Sequence, residues 1–411
     1  MTASAPPPET AVPAHPSRGE TVAMLAMLTA TVAFSIDAML PALPAIAGHL
    51  SPAEPNRAQL VLSVFMIGLG IGTLAAGPIS DAVGRKRVAI GGGVLYVAGA
   101  LLGAMAPSLE LLLAARVLQG LGAAGPRVAA LAIVRDEYSG RQMARTVSFI
   151  MTIFTLVPVF APSIGAAIAW GAGWRGIFFA FAVFSLISLT WLGFRQPETL
   201  TPERRRPFHA RRLAQGFREI LTHRQVMLAV GAQTLVYSIL FAMLISAPQI
   251  FADTFGRAAS FPYWFGFIAL VSAPANLLNA AIVVRLGMKT VLRFALAAIA
   301  GVSALFLALL LTGALQGDLL FAAFVIWSIA VFYIPGLGIG NLNAVAMEPV
   351  GHIAGLATSI ITSTATVAGS ALAVPIGQAF DGTPVPAAAG VLIAALAALA
   401  LASMLHETGP D

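Results

Sequence analysis

The sequence predicts an all-α protein threaded through a lipid bilayer, with twelve transmembrane helices arranged as two six-helix halves. Three observations lead there. Apolar residues fill 58% of the 411 positions and Asp, Glu, Lys and Arg together only 10%, and the mean hydropathy is +0.89, far from the makeup of a soluble domain. Apolar stretches long enough to cross a hydrocarbon core, about 20 residues of helix, recur twelve times. The basic residues between them fall almost entirely in alternate gaps.

The first span, Val22–Ile46, follows a Pro- and Ala-rich start that lacks the basic opening and short apolar core of a signal peptide; residues 1–20 are expected to be a disordered cytoplasmic tail. Ala58–Ser80 ends at a small-residue turn and Val88–Ala106 at a short one, followed by Leu109–Val134. Thr146–Trp170 and Trp174–Phe194 complete an N-terminal half over residues 21–194. A linker, residues 195–224, carries the basic segment Phe208–Ile220, readable either as an amphipathic helix on the anionic leaflet or as a solvated connection. The C-terminal half, residues 225–406, holds Val226–Phe251, Pro262–Val284, Thr290–Gly313, Leu319–Ala346, Ala354–Phe380 and Pro384–Leu405, before a short tail at 407–411.

Charge supports both the count and the orientation. With the N-terminus inside, the cytoplasmic gaps hold seventeen Lys and Arg and the opposite gaps only Arg57, Arg175 and Arg257, as the positive-inside bias requires. The net charge of +6 therefore belongs to topology, and no nucleic-acid partner is implied. The absence of cysteine removes disulfides and thiol chemistry. There is no H-E-x-x-H and no G-x-x-x-x-G-K-[ST] loop, so neither a zinc hydrolase nor an ATP-driven pump is written in this chain. No cofactor is expected, and all six histidines fall outside the apolar cores. Two six-helix halves around a midplane site is an architecture of secondary transporters, and Gly84-Arg85-Lys86-Arg87 and Gly287-Met288-Lys289-Thr290 occupy corresponding gaps in the two halves.

After the second span the chain reads Gly77-Pro78-Ile79-Ser80-Asp81-Ala82-Val83-Gly84-Arg85-Lys86-Arg87. It resembles the G-x-L-x-D-x-x-G-R-K/R signature of the major facilitator superfamily, with Ala82 where a basic residue is common. The fourth span carries Arg116-Val117-Leu118-Gln119-Gly120, similar to that superfamily's R-x-x-Q-G, and ends in Arg135-Asp136, similar to its R-D pair. In the fifth span Ala161-Pro162-Ser163-Ile164-Gly165-Ala166 resembles the G-P-x-x-G-G antiporter motif, with Ala161 and Ala166 in place of glycines. Asp37-Ala38-Met39-Leu40-Pro41-Ala42-Leu43-Pro44, Ser246–Phe251 and Gly351–Ala357 extend the likeness to the Bcr/CflA-type drug:proton antiporters over nearly the whole chain. The resemblance implies the major facilitator fold and proton-driven export of small hydrophobic drugs across a bacterial inner membrane. A facilitator of a polar metabolite such as a sugar is the alternative.

Asp37 is the one acid deep within a span, and Arg116 lies only seven residues into its own. A charge at such depth needs a partner or a wet cavity, so the two are expected either to couple protons together or to form a permanent pair that only orients helices. Gly77, Asp81, Gly84, Arg85, Arg87 and Arg135 are expected to form a cytoplasmic gate, with Arg135 reaching Asp81. Ala161, Pro162 and Gly165 are expected to pack a bent helix closely. Phe34, Met66, Gln119, Tyr237, Phe241 and Asn341 are candidates for the cavity wall, amides such as Asn341 being equally suited to join helices. Arg127, nearer the inner face, is expected to snorkel. The chain is expected to work as a monomer.

Overall fold

The computed structural model describes residues 16–205, 207 and 209–405. Residues 1–15 of the expected N-terminal tail, Phe208 of the linker segment and the tail at 407–411 lie outside the described residues. All regular structure in the described residues is helical: α1 (Arg18–Asp37), α2 (Leu43–Leu50), α3 (Leu60–Val83), α4 (Arg85–Ala104), α5 (Leu109–Glu137), α6 (Gly140–Arg195), α7 (Ala210–Thr222), α8 (Arg224–Gln249), α9 (Phe261–Ser272), α10 (Ala275–Leu286), α11 (Met288–Thr312), α12 (Gly317–Met347), α13 (Ala354–Gln378) and α14 (Val385–Ser403), joined in places by short tight helical turns.

Among the described residues, ten helical stretches are long and apolar enough to cross a membrane. Two of them, Gly140–Arg195 with 56 residues and Gly317–Gln378 with 62, are each about twice the length one crossing requires. The first is interrupted at Gly173 (φ 68°, ψ 175°) and the second at the tight turn Glu348–Ile353. Counting each as two gives the twelve crossings. Their outer faces carry exposed Trp170, Val284, Phe194 and Leu277, side chains that only a lipid solvent accommodates in such number.

Within the N-terminal half α5 packs against α3 and α4, and α6 against α1 and α4; within the C-terminal half α8 packs against α12, α13 and α14, and α11 against α12 and α14. The halves meet mainly where α13 lies along α3 and where α9 crosses α6. Small residues let α3 and α13 come close enough for side-chain hydroxyls to reach backbone: Ser363 Oγ donates to the Gly70 carbonyl at 2.6 Å and Ser370 Oγ to the Ser63 carbonyl at 2.9 Å.

The two ends of the bundle differ. At the end bearing the arginine clusters, α3 passes to α4 through the single residue Gly84 (φ 116°) and α10 to α11 through Gly287 (φ 79°). Both conformations are ones a Cβ would disfavour, and their shared position preserves the repeat. The first helix begins earlier than composition suggested. Ser17 caps it and Glu20 is tied to Arg195 at 2.5 and 2.8 Å, so residues 18–20 are ordered by charge and capping rather than belonging to a loose tail. The linker does form a helix, α7, which sets Ile220, Phe217 and Leu213 against the core and packs on α8 and α13.

Candidate functional site

A cavity of about 340 Å³ lies between the halves. Its wall is mostly apolar: Val32, Met66, Leu69, Phe154 and Pro158 from one half, Tyr237, Leu240, Phe241, Phe265 and Phe332 from the other. The polar lining is sparse, with Thr155, Ser272, Asn276 and Thr366 beside two charged residues, Asp37 and Arg127. The Tyr237 and Phe241 rings stack at 5.3 Å, giving a flat apolar panel against which varied shapes can lie.

Asp37 is the last residue of α1 and 5% exposed. Among the described residues its carboxylate forms no ion pair and no hydrogen bond. The close packing behind it comes from Gly165: a Cβ there would run into the Ala38 carbonyl, so α6 can press against the turn that carries Asp37. Ala161 and Pro162 are buried beside that approach, and Pro158, a turn earlier, reaches the cavity.

Arg116 is fully buried and does not pair with Asp37. Its Nε donates to the Val61 carbonyl at 3.0 Å, one terminal nitrogen to the Ser35 carbonyl at 3.1 Å, and the other to Gln119 Oε1 at 2.7 Å, while its guanidinium lies 4.2 Å from the Phe65 ring centroid. These bonds pin α5 to α1 and α3. Gln119 is thereby spent on Arg116 and does not line the cavity, although its Nε2 is buried without a partner.

Arg127 does line it. Eleven residues separate it from Arg116, which at about 100° per residue returns to within about 20° of the same helix face, about 16 Å farther along α5. The expected escape to the headgroups does not occur, because that face of α5 looks inward. Two other expected wall residues stand elsewhere. Phe34 packs on Phe181 and Phe184 at 5.3 and 5.2 Å inside the N-terminal half. Asn341 is exchanged with Asn279 across α12 and α10, donating at 2.9 Å, a joint between helices.

At the arginine-bearing end, Asp81 is held by Arg85 and not by Arg135. Arg85 also bonds Asp136 at 3.0 Å and Ser80 at 3.2 Å, and its backbone N–H donates to Glu198 at 2.8 Å. One guanidinium thus joins the ends of α3 and α5, the short i,i+4 step winning over a reach from the neighbouring helix. Gly84 packs against the same Glu198 carboxylate. The Arg135 side chain makes no hydrogen bond or ion pair among the described residues, and Arg87 is exposed. Gly77 approaches Ser359 of α13. Asp81, Arg85, Arg135 and Asp136 line a cleft of about 550 Å³ whose other wall is the α7 approach and residues 352–356 and 359 of the C-terminal half.

The opposite end is closed by amides, a role the sequence does not signal even for Gln249 within the Ser246–Phe251 segment. Asn56 Nδ2 donates to the carbonyls of Gln378 and Phe380 at 3.0 and 2.9 Å. Gln249 Nε2 donates to Asn56 Oδ1 at 2.7 Å, Gln59 Nε2 to Gln249 Oε1 at 2.6 Å, and Gln378 Nε2 to the Asn56 carbonyl at 2.7 Å. Every one of these bonds runs from one half to the other.

A sequence profile of the Major Facilitator Superfamily matches residues 25–374. An uncharacterised MFS-type transporter, YdgK of Bacillus subtilis, is 30% identical over 91% of this chain and 92% of its own length. A bicyclomycin resistance protein homolog of Haemophilus influenzae is 30% identical over 84% and 86%. The crystal structure of a D-xylose-proton symporter superposes with a TM-score of 0.72 over 92% of this chain and 97% of that one, at 15% identity, a likeness of fold. Motifs, architecture and a match along most of its length agree: the chain belongs to the Major Facilitator Superfamily of membrane transporters.

Proposed function

We propose that this transporter exports small, largely apolar drugs across the inner membrane of a bacterium in exchange for protons. The observation that carries the reading is the central cavity, apolar on both sides and furnished with one unpaired carboxylate, Asp37. A sugar site needs many hydrogen-bonding groups in register, and this wall has few. The drug-resistance name borne by a relative along most of its length supports the same choice. The arginine-bearing end faces the cytoplasm in this reading, both termini lie there, and the 550 Å³ cleft is the route of entry while the amide-closed end seals the far side. Asp37 takes a proton when the far side opens and gives it up inside, and the drug moves the other way. The cavity is built from one chain, so a monomer suffices.

The test is expression in an efflux-deficient bacterium against a panel of antibiotics and dyes, beside Asp37→Asn, followed by everted vesicles energised only by a pH gradient. Wild type should raise tolerance and move drug without ATP, and Asp37→Asn should lose uphill movement while still binding. Transport that requires ATP or a sodium gradient, or an Asp37→Asn protein that pumps normally, would falsify the proposal.

A further inference from the structure

The deep charges are unequal. The N-terminal half contributes one carboxylate, Asp37, and two guanidiniums, Arg116 and Arg127, while the cavity wall from the C-terminal half contributes no charge. Arg116 spends its donors on two carbonyls and Gln119 and stands behind the wall. Arg127 is on the wall, and among the described residues its guanidinium donates no hydrogen bond and pairs with no carboxylate. Helical side chains lean toward the N-terminal end of their helix. Because α1 and α5 run in opposite directions, the two side chains lean in opposite senses along the bundle, and no ion pair joins them across the cavity they line.

The charge balance at mid-depth is therefore one positive with Asp37 ionised and two with it protonated. An arginine keeps its charge throughout, so a cation entering this space meets the repulsion of the Arg127 guanidinium whichever state Asp37 is in. At a separation of about 8 Å and an effective dielectric of about 20, one uncompensated guanidinium weakens cation binding by about thirtyfold. The same group offers a planar fork of N–H donors to any acceptor. We infer that Arg127 sets the charge class of the substrate: the site takes uncharged amphiphiles that carry hydrogen-bond acceptors on an apolar body, and rejects lipophilic cations. The inference rests on the export reading of this cavity and narrows it.

Two probes separate the classes: chloramphenicol, uncharged with nitro and amide acceptors, and tetraphenylphosphonium, a cation without acceptors. Their affinities are measured in nanodiscs for wild type, Arg127→Met and Arg127→Lys, and their transport in everted vesicles. Wild type should favour chloramphenicol by at least about tenfold. Arg127→Met should shift the ratio toward the cation by about thirtyfold, gaining the cation and weakening chloramphenicol. Arg127→Lys, which keeps the charge and loses the fork, should still reject the cation, and it serves if the Met variant does not insert. A wild type that binds the cation as well as chloramphenicol, or a Met variant whose ratio stays within about twofold, overturns the assignment. Export of the cation by wild type defeats this inference and leaves the export reading standing. A charge preference in binding without proton-driven movement of either probe defeats the export reading alone.

Discussion

Removing one side chain at the amide-closed end should open the transporter to that side. Asn56 holds three of the bonds between the halves through its side chain: two that it donates, to the carbonyls of Gln378 and Phe380, and one that it accepts from Gln249. Asn56→Ala deletes all three and leaves the Gln59–Gln249 bond and the bond from Gln378 to the Asn56 carbonyl. A hydrogen bond contributes about 0.5–1.5 kcal/mol net, and at a partly wet site the lower part of that range applies. Three bonds then amount to about 2 kcal/mol, so the ratio of open to closed protein at this end should rise about thirtyfold. The chain has no cysteine, so Ala53→Cys and Ala259→Cys, one on each half and both exposed, can be spin-labelled without other background. Pulsed electron resonance reads the distance distribution between them. The long-distance population should grow in Asn56→Ala, and Gln249→Ala combined with it should add less than its separate effect, since the two residues share a bond. A distribution that does not move in Asn56→Ala, with the protein correctly inserted, would refute the view that these amides hold the end shut.

Other perturbations follow from the same geometry. Arg116→Ala should lower the melting temperature in detergent strongly, because three bonds from a buried charged donor are lost at about 1.5–3 kcal/mol each; little change would remove Arg116 from the structural core. Gly165→Val should separate α6 from the Ala38 turn at a cost of about 1–3 kcal/mol, read as a lower melting temperature together with slower transport. Arg85→Ala should slow transport in vesicles by about tenfold or more, since it unlinks the ends of α3 and α5, while Arg135→Ala should stay within about twofold; equal effects would mean that Arg85 has no special place. In each case surface expression is matched before rates are compared.

The spans and their grouping could be read from the chain because hydrophobic length and alternating basic gaps are local properties that a bilayer enforces one crossing at a time. Asp37 was legible for the same reason, a charge being conspicuous in an apolar run. That its carboxylate would stand unpaired was not. Depth along two helices made Arg116 look suitable, yet the backbone carbonyls of Val61 and Ser35 and the Gln119 amide claim that guanidinium first, and carbonyls are present in every sequence. Arg127 left a usable signal in its eleven-residue spacing from Arg116. Asn341 and Phe34 were read by type, and a residue's type does not say whether it turns toward the other half or toward its own. Asn56 lies in a gap and the amides at 59, 249 and 378 stand near span ends, where nothing in the local sequence marks a seal, because their meaning exists only once the halves are placed together.

The choice of amides at that end has a consequence for the surroundings in which the protein can work. In the export reading proposed above, this end faces the medium, where acidity and salt rise and fall. A seal made of ion pairs would weaken as carboxylates took up protons and as the Debye length shrank from about 10 Å at 0.1 M salt to about 3 Å at 1 M. The bonds among Asn56, Gln59, Gln249 and Gln378 involve groups that neither titrate nor carry a charge to be screened. Their strength stays constant across media, so this end can remain sealed in acid and in brine alike, and under the proposed exchange the response to protons is left to Asp37 in the cavity.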